Sequence, residues 1–196
     1  MNSLFEIEDN YNFPTSLLLY WGFSWEADED EFFVGKRELL TAGNIPKPIQ
    51  TGFEMMALLK ENRLKVIKAK KDSRFGLIAT KSEKETVLLT YNYEESESEK
   101  ISGNDKIKIE LNGLKKSASY QIKTIILDNE NNNTFQKWIE MGSPKNSKSI
   151  DLSPLKKAGN LTFNKIVNLE SNNKGQISFD LPIQRRSAQL MIIKLN

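Results

Sequence analysis

The 196-residue sequence contains neither cysteine nor histidine. Without cysteine there is no disulfide, thiolate nucleophile or cysteine-held metal, and without histidine the usual neutral-pH general base and the commonest nitrogen ligand are gone. These residues cannot run serine–histidine or cysteine–histidine hydrolysis, zinc hydrolysis or thiol redox chemistry. Charge of one sign is scarce as well. Lys and Arg number 28 against 26 Asp and Glu, a net charge of +2, too small to imply a phosphate-backbone partner. No nucleic-acid partner is expected. Long apolar runs are missing: the stretch Leu17 to Phe23 falls far short of the ~20 residues of a membrane span. It also lacks the basic flank of a signal peptide. The chain therefore reads as soluble, with no membrane partner, no visible secretory signal and an open compartment.

What is present is an ordinary globular composition, 38% hydrophobic and 28% charged, enough to bury a core. The length fits one large or two small domains and falls short of the roughly 250 residues of a complete TIM barrel. For chemistry, carboxylates, Lys, Tyr and Ser remain.

Ser16 to Phe23 is a short continuous apolar run, the pattern of a strand buried on both faces. An acidic stretch, Glu26 to Glu31, follows and closes on Phe32 and Phe33. Pro48 opens a predicted amphipathic helix, about Ile49 to Glu61, whose apolar residues include Ile49, Phe53, Met56, Leu58 and Leu59. From Arg63 the texture changes to short runs broken by polar turns: 64–69, 75–80, 86–93, 106–111, 120–127, 161–167, 176–181 and 188–195. That spacing predicts an antiparallel sandwich. Two helices interrupt it. Thr134 to Met141 would bury Phe135, Trp138, Ile139 and Met141, and Ser153 to Gly159 has a serine cap, an early proline and a closing glycine. No internal repeat is visible. The boundary falls near Asn62, separating residues 1–62, a strand–loop–helix unit, from residues 63–196, a mostly β module. One strand and one helix cannot satisfy their own backbone or hide their apolar faces. The first unit must dock on the sandwich or on further chain.

Three passages, and a fourth shorter one, carry a resemblance. Tyr20-Trp21-Gly22-Phe23-Ser24 is similar to a Tyr-Trp-x-Phe-Ser segment on a last barrel strand. Gly35 to Thr41, then Gly43-Asn44-Ile45-Pro46-Lys47-Pro48, is similar to a glycine-containing loop with a Gly-x-x-Lys-Pro helix start. Leu127-Asp128 to Asn133, then Trp138, Met141, Gly142, Ser143 and Pro144, is similar to an Ile-Asp…Asn…Trp…Met-Gly-x-Pro passage, and Leu181-Pro182 to a terminal Leu-Pro strand. In order and spacing, from about Leu17 to Asn196, the chain resembles the C-terminal part of glycoside hydrolase family 39. This is the β-xylosidase and α-L-iduronidase family of retaining glycosidases.

The resemblance implies a mainly β fold: an immunoglobulin-like antiparallel β-sandwich with two short helices, preceded by the last strand–loop–helix unit of a TIM barrel. It implies a parent that hydrolyses β-xylosides or related glycosides by double displacement, which takes two carboxyl groups ~5 Å apart. Both catalytic glutamates are expected upstream of Met1, so no catalytic residue is assigned here and the chain alone is expected to be inactive. The loop after the last barrel strand lies at the face where such barrels place their sites. Trp21, Glu26 and Glu29 are accordingly the substrate-binding candidates. Where the family usually has Phe-His-Gly-Gly this chain has Phe33-Val34-Gly35-Lys36, and the acidic loop is several residues shorter.

Each feature has a plainer reading. Glu26 to Glu31 suits sugar hydroxyls, a calcium ion or simply water, and it lacks the ligand alternation and glycine of an EF-hand loop. Trp21, Phe23 and Trp25 would share one strand face, either as a sugar platform or as core. Asp128 to Asn133 reads as a turn and helix start rather than a cation site. Asn132-Asn133-Thr134 and Asn160-Leu161-Thr162 match the N-glycosylation pattern, common by chance. Lys65, Lys68, Lys70, Lys71 and Arg74 read as a solvated edge or turn. No metal and no cofactor is expected, and the partner is a carbohydrate in the complete enzyme. Residues 1–61 are also expected to expose apolar surface when made alone and to self-associate or await a barrel. The alternative reading is a non-catalytic carbohydrate-binding or interaction module; a third is a purely structural domain.

Overall fold

Two apolar runs, Val87-Leu88-Leu89 and Leu190-Met191-Ile192-Ile193, are continuous rather than alternating. Strands read this way when both faces of their sheet are covered. A computed structural model of the chain describes residues 31–33, 39–68, 74–93 and 103–196. In chain order it contains β1 (Leu40–Thr41), β2 (Ile45–Pro46), α1 (Pro48–Ala57), β3 (Asn62–Arg63), β4 (Phe75–Lys81), β5 (Glu85–Asn92), β6 (Asn104–Leu111), β7 (Ser119–Leu127), α2 (Thr134–Glu140), α3 (Ser153–Ala158), β8 (Lys165–Glu170), β9 (Ile177–Gln184) and β10 (Ser187–Leu195). The six strands β3-β4-β5-β10-β7-β8 form one antiparallel sheet, and β6 and β9 pair as a second layer. The fold is a mainly β antiparallel sandwich with short helices.

Register explains the continuous runs. On the central strand β10, Met191 lies opposite Leu88 and Leu190 lies opposite Leu89 and Ile125. Leu88, Met191, Ile193, Tyr120 and Ile122 pack on Ile109, Ile177 and Leu181 of the second layer. The other face carries Val87, Leu89, Ile125, Leu190 and Ile192, covered by Met55 of α1. Strand β6, with only one face buried, alternates instead: Ile109 is buried, while Lys106, Lys108 and Glu110 are exposed.

Several boundaries differ from the sequence expectation. Of the strand predicted over 64–69, only β3 just before it pairs. Leu64 still donates to the Ala79 carbonyl at 2.8 Å, after which residues 65–68 leave the ladder while Val66 packs on the core. The strand predicted over 161–167 begins four residues late, because Thr162 and Asn164 are bonded to Asn132 (Oγ1 to Oδ1 3.0 Å; Nδ2 to Oδ1 3.0 Å). Helix α1 ends at Ala57, not near Glu61, since Leu58 and Leu59 close the last turn on the Met55 and Met56 carbonyls. Its buried stripe is rotated from the predicted one: Thr51 and Met55 are buried, with Met56, Leu58 and Leu59 at the margin and Ile49 exposed. Phe135 and Ile139, expected on the buried face of α2, are 40% and 42% exposed, because Thr134 is the residue that helix buries. Helix α3 takes its N-terminal bond from the Asp151 carboxylate, which accepts from the Ser153 N–H at 2.9 Å, rather than from a serine cap.

Among the described residues no helix is long and apolar enough to cross a membrane.

Candidate functional site

Trp21, Glu26 and Glu29, the substrate-binding candidates, lie outside the described residues, as does the predicted strand Ser16 to Phe23. The chain is described again at the end of the acidic run, where Glu31 makes an antiparallel bridge with Asn146. Phe32 then enters a small core with Ala42, Ile45 and Leu155. Phe33 donates its N–H to Thr41 Oγ1 at 2.7 Å.

Beyond it the sequence Gly43-Asn44-Ile45-Pro46-Lys47-Pro48 forms a tight return. Gly43 (φ 69°) and Asn44 (φ 57°) both take left-handed backbone, which glycine and asparagine tolerate best. Ile45 is thereby fully buried and β2 folds back on β1. The Pro46 carbonyl accepts from Thr134 Oγ1 at 2.5 Å, and a Cβ on Gly159 would come within 2.4 Å of the Pro46 ring. Among the described residues, the segment before Asn62 thus packs on the rest of the fold in two places: this return against α2 and α3, and Met55 against the main sheet.

Helix α2 is held from below by an asparagine network. Asn132 Nδ2 donates to the Ile126 carbonyl (2.7 Å), the Thr162 carbonyl (3.2 Å) and Asn164 Oδ1 (3.0 Å). Its Oδ1 accepts from Thr162 N and Oγ1. Asp128 Oδ1 accepts from the Glu130 and Asn131 N–H groups at 2.8 Å, and Asn133 caps α2 through Gln136 N. The segment Asp128 to Asn133 is therefore a turn and helix start, and the side-chain amide of Asn132 is committed inside the fold. Among the described residues no three metal-ligating side chains gather.

The electrostatics point the same way. Glu85 is held below its ordinary value of 4.5 by hydrogen bonds from Lys194 and then Lys60. The Asn92 amide first, then Arg74 and Arg185, lower Asp105, and the Ser153 backbone N–H lowers Asp151. A glycosidase acid needs its carboxyl raised, whereas these three are held ionised by structural partners. A groove of about 160 Å³ lies between α2 and α3, lined by Gln136, Lys137, Glu140, Lys157 and Asn160 among others. Its lining is polar, with no aromatic ring to stack on a sugar.

Sequence reasoning did not find the contact of Phe33 with α2. The rings of Phe33 and Phe135 are 5.3 Å apart, Phe33 and Trp138 5.3 Å, and Phe135 and Trp138 5.5 Å. Trp138 was expected to be core. It is half-buried, and its indole N–H donates to the Pro144 carbonyl at 2.9 Å. A separation of about a hundred residues leaves no local pattern from which this meeting could be read.

The chain is 29% identical over 192 residues to a β-xylosidase of Caldicellulosiruptor saccharolyticus, covering 96% of this chain and 38% of that protein. In fold it is similar to a monomeric β-xylosidase from Caulobacter crescentus CB15 (TM-score 0.69, 16% identity, 84% of this chain and 34% of that one). It is likewise similar to the GH39 enzyme from Xanthomonas axonopodis pv. citri (TM-score 0.68, 14% identity, 84% and 33%). The chain thus spans little more than a third of the length of the relatives it matches. The profile of Glycosyl hydrolases family 39 matches residues 9–171, most of the sequence, and the chain belongs to that family.

Proposed function

We propose that this chain is the C-terminal portion of a retaining glycoside hydrolase acting on β-xylosides or related glycosides. Residues 1–62 would be the end of its TIM barrel and residues 63–196 its accessory sandwich. The observation that carries this reading is the match to the β-xylosidase, which runs through 96% of the chain yet covers only 38% of the relative. The burial of Met55 and Ile45 against the sandwich supports a unit that shares its core with the β module. In this reading the two catalytic glutamates precede Met1, and Trp21, Glu26 and Glu29 supply a stacking ring and hydroxyl acceptors at the barrel mouth. The chain by itself performs no turnover. Made alone it exposes apolar barrel surface from residues 1–61 and self-associates, which size-exclusion chromatography with a hydrophobic dye reads directly.

The test is to sequence the DNA upstream of Met1, determine the mass of the native product in its source cells, and assay that product on aryl β-xylosides and a panel of related glycosides. An in-frame extension, a product more than twice 22.5 kDa and turnover with retention of configuration are expected. A native product of 22.5 kDa that binds saccharide without turnover would overturn the enzyme reading in favour of a binding module.

A further inference from the structure

We propose that Asn112 is a site of spontaneous covalent modification, converting to aspartate and isoaspartate through a cyclic imide closed on the backbone nitrogen of Gly113.

Asn112-Gly113 is the one Asn-Gly step in the sequence. It lies just beyond β6, where the chain turns toward β7, and both residues are exposed. Gly113 takes left-handed backbone at φ 77°, which glycine adopts without steric cost. A Cβ on it would meet nothing within 4 Å, so its surroundings leave room for a ring to close. Among the described residues its N–H donates to no acceptor. The chain is anchored on either side of it instead. Leu111 pairs with Ile177, the Leu114 N–H donates to the Gly175 carbonyl at 2.9 Å, and the Lys115 N–H donates to the Tyr120 hydroxyl at 2.8 Å. The pair is thus held in place without its reacting nitrogen being occupied.

The Asn112 carboxamide is the other half of the reaction. Its Oδ1 accepts from Gln176 Nε2 at 2.7 Å, a donor aimed at the oxygen on which negative charge develops when Cγ is attacked. Exposed Lys115 and Lys116 on the same turn, and Lys174 on the turn bonded to it through Gly175, add positive charge nearby. The neighbouring carboxylate, Glu110, is paired with Lys108 at 3.0 Å. Gly113 N attacks Cγ, and the N–Cγ bond forms as the Cγ–Nδ2 bond breaks. Nδ2 leaves as ammonia with the proton from Gly113 N. Water then opens the imide. Cleavage of N–Cγ gives aspartate; cleavage at the main-chain carbonyl gives isoaspartate, with an extra methylene in the backbone.

Other asparagines are placed differently. Asn146 precedes buried Ser147, and its Oδ1 is taken by the Lys148 N–H at 2.8 Å. Asn172 Oδ1 accepts from the N–H groups of Lys174 and Gln176. Each of these is also followed by a residue whose Cβ crowds ring closure.

The chain as it stands tests this, incubated in warm, mildly alkaline buffer, sampled over time and digested with trypsin. Mass spectrometry follows the peptide Ile109–Lys115 against Ala158–Lys165 and Ile166–Lys174, with the zero-time sample correcting for conversion during digestion. Isoaspartate is read independently by enzymatic methyl transfer. Deamidation of Ile109–Lys115 is expected to run at least about tenfold faster than in either reference, the effect of a barrier about 1.4 kcal/mol lower. Asn112→Gln, whose longer side chain closes the ring far less readily, is expected to abolish the signal in that peptide and leave the references unchanged. An unmodified Ile109–Lys115, or one modified no faster than the references, overturns the proposal, as does a signal that persists in Asn112→Gln.

Discussion

The hydroxyl of Thr134 donates to the carbonyl of Pro46, 88 residues earlier in the chain. Thr134 has no exposed surface, and the bond joins the first turn of α2 to the return that leads into α1. Replacing Thr134 with Val keeps the shape and deletes the donor, leaving the half-buried Pro46 carbonyl without this bond. A loss of about 1–3 kcal/mol is expected, measured by urea denaturation, while Thr134→Ser should recover most of it. A Val variant as stable as the wild type would mean that this bond does not hold the return before α1 to α2.

Glycines give two predictions of opposite sign. Gly159 lies under Pro46, and a Cβ there would come within 2.4 Å of a rigid ring, so Gly159→Ala should cost about 1–3 kcal/mol through overpacking. Gly52 sits within α1 with nothing within 4 Å of an added Cβ, so Gly52→Ala should stabilise by about 0.5–1 kcal/mol. Thermal melts of the two variants moving in the same direction would contradict the docking described here.

Asn132 makes more side-chain hydrogen bonds than a surface asparagine would need. Its amide nitrogen and oxygen together reach Ile126, Thr162 and Asn164. Asn132→Ala should therefore lose about 0.5–1.5 kcal/mol, since its partners are half-buried or exposed and water takes over part of what is lost. Asn132→Asp should also destabilise because it removes the Nδ2 donors. Equal stability of both variants and wild type by calorimetry would remove the network from the account of how α2 is held.

Glu85 makes stability depend on pH. Lys60 and Lys194 contact its two oxygens at 2.5 and 2.7 Å, and its side chain is 13% exposed. Its folded pKa is lowered below 4.5, so the folded state holds fewer protons than the unfolded state as pH falls. The stabilisation is full above the unfolded pKa and is lost as pH drops through the folded value. With Lys194 half exposed, a contribution of about 1 kcal/mol is expected. Denaturation followed from pH 7 to pH 3 should show Glu85→Gln losing stability less steeply than wild type below the ordinary pKa; parallel curves would refute the assignment.

The antiparallel strands from Phe75 onward were legible because a strand's side chains alternate between two faces, and the register that pairs Leu190 with Leu89 and Ile125 is the one that keeps both faces apolar. Helix α1 was legible as a helix but not in its orientation: Ile49, Phe53 and Met56 share one helical stripe and Thr51 and Met55 another, and both contain apolar residues. Only contact with the sheet selected Met55. The start of β8 was misplaced for a similar reason, since Thr162 and Asn164 are as strand-compatible locally as their neighbours, and it is Asn132, some thirty residues away, that claims them. Of the candidate site, the acidic run was visible as composition and Trp21, Glu26 and Glu29 as members of a resembling motif. The aromatic platform facing Phe33 was not visible.

By itself the sequence determined the chemistry the chain can offer, since a protein without cysteine or histidine has only carboxylates, hydroxyls and amines to work with. It also determined the strand-rich class, through short apolar or alternating runs broken by polar turns, and the family, through motifs whose order survives divergence. Tertiary structure alone decided where the return before α1 packs, which side of α1 is buried, and that Phe135 and Trp138 meet Phe33. Those outcomes depend on surfaces brought together from distant parts of the chain, where the free energy of contact is set by shape and hydrogen-bond geometry that no local pattern encodes.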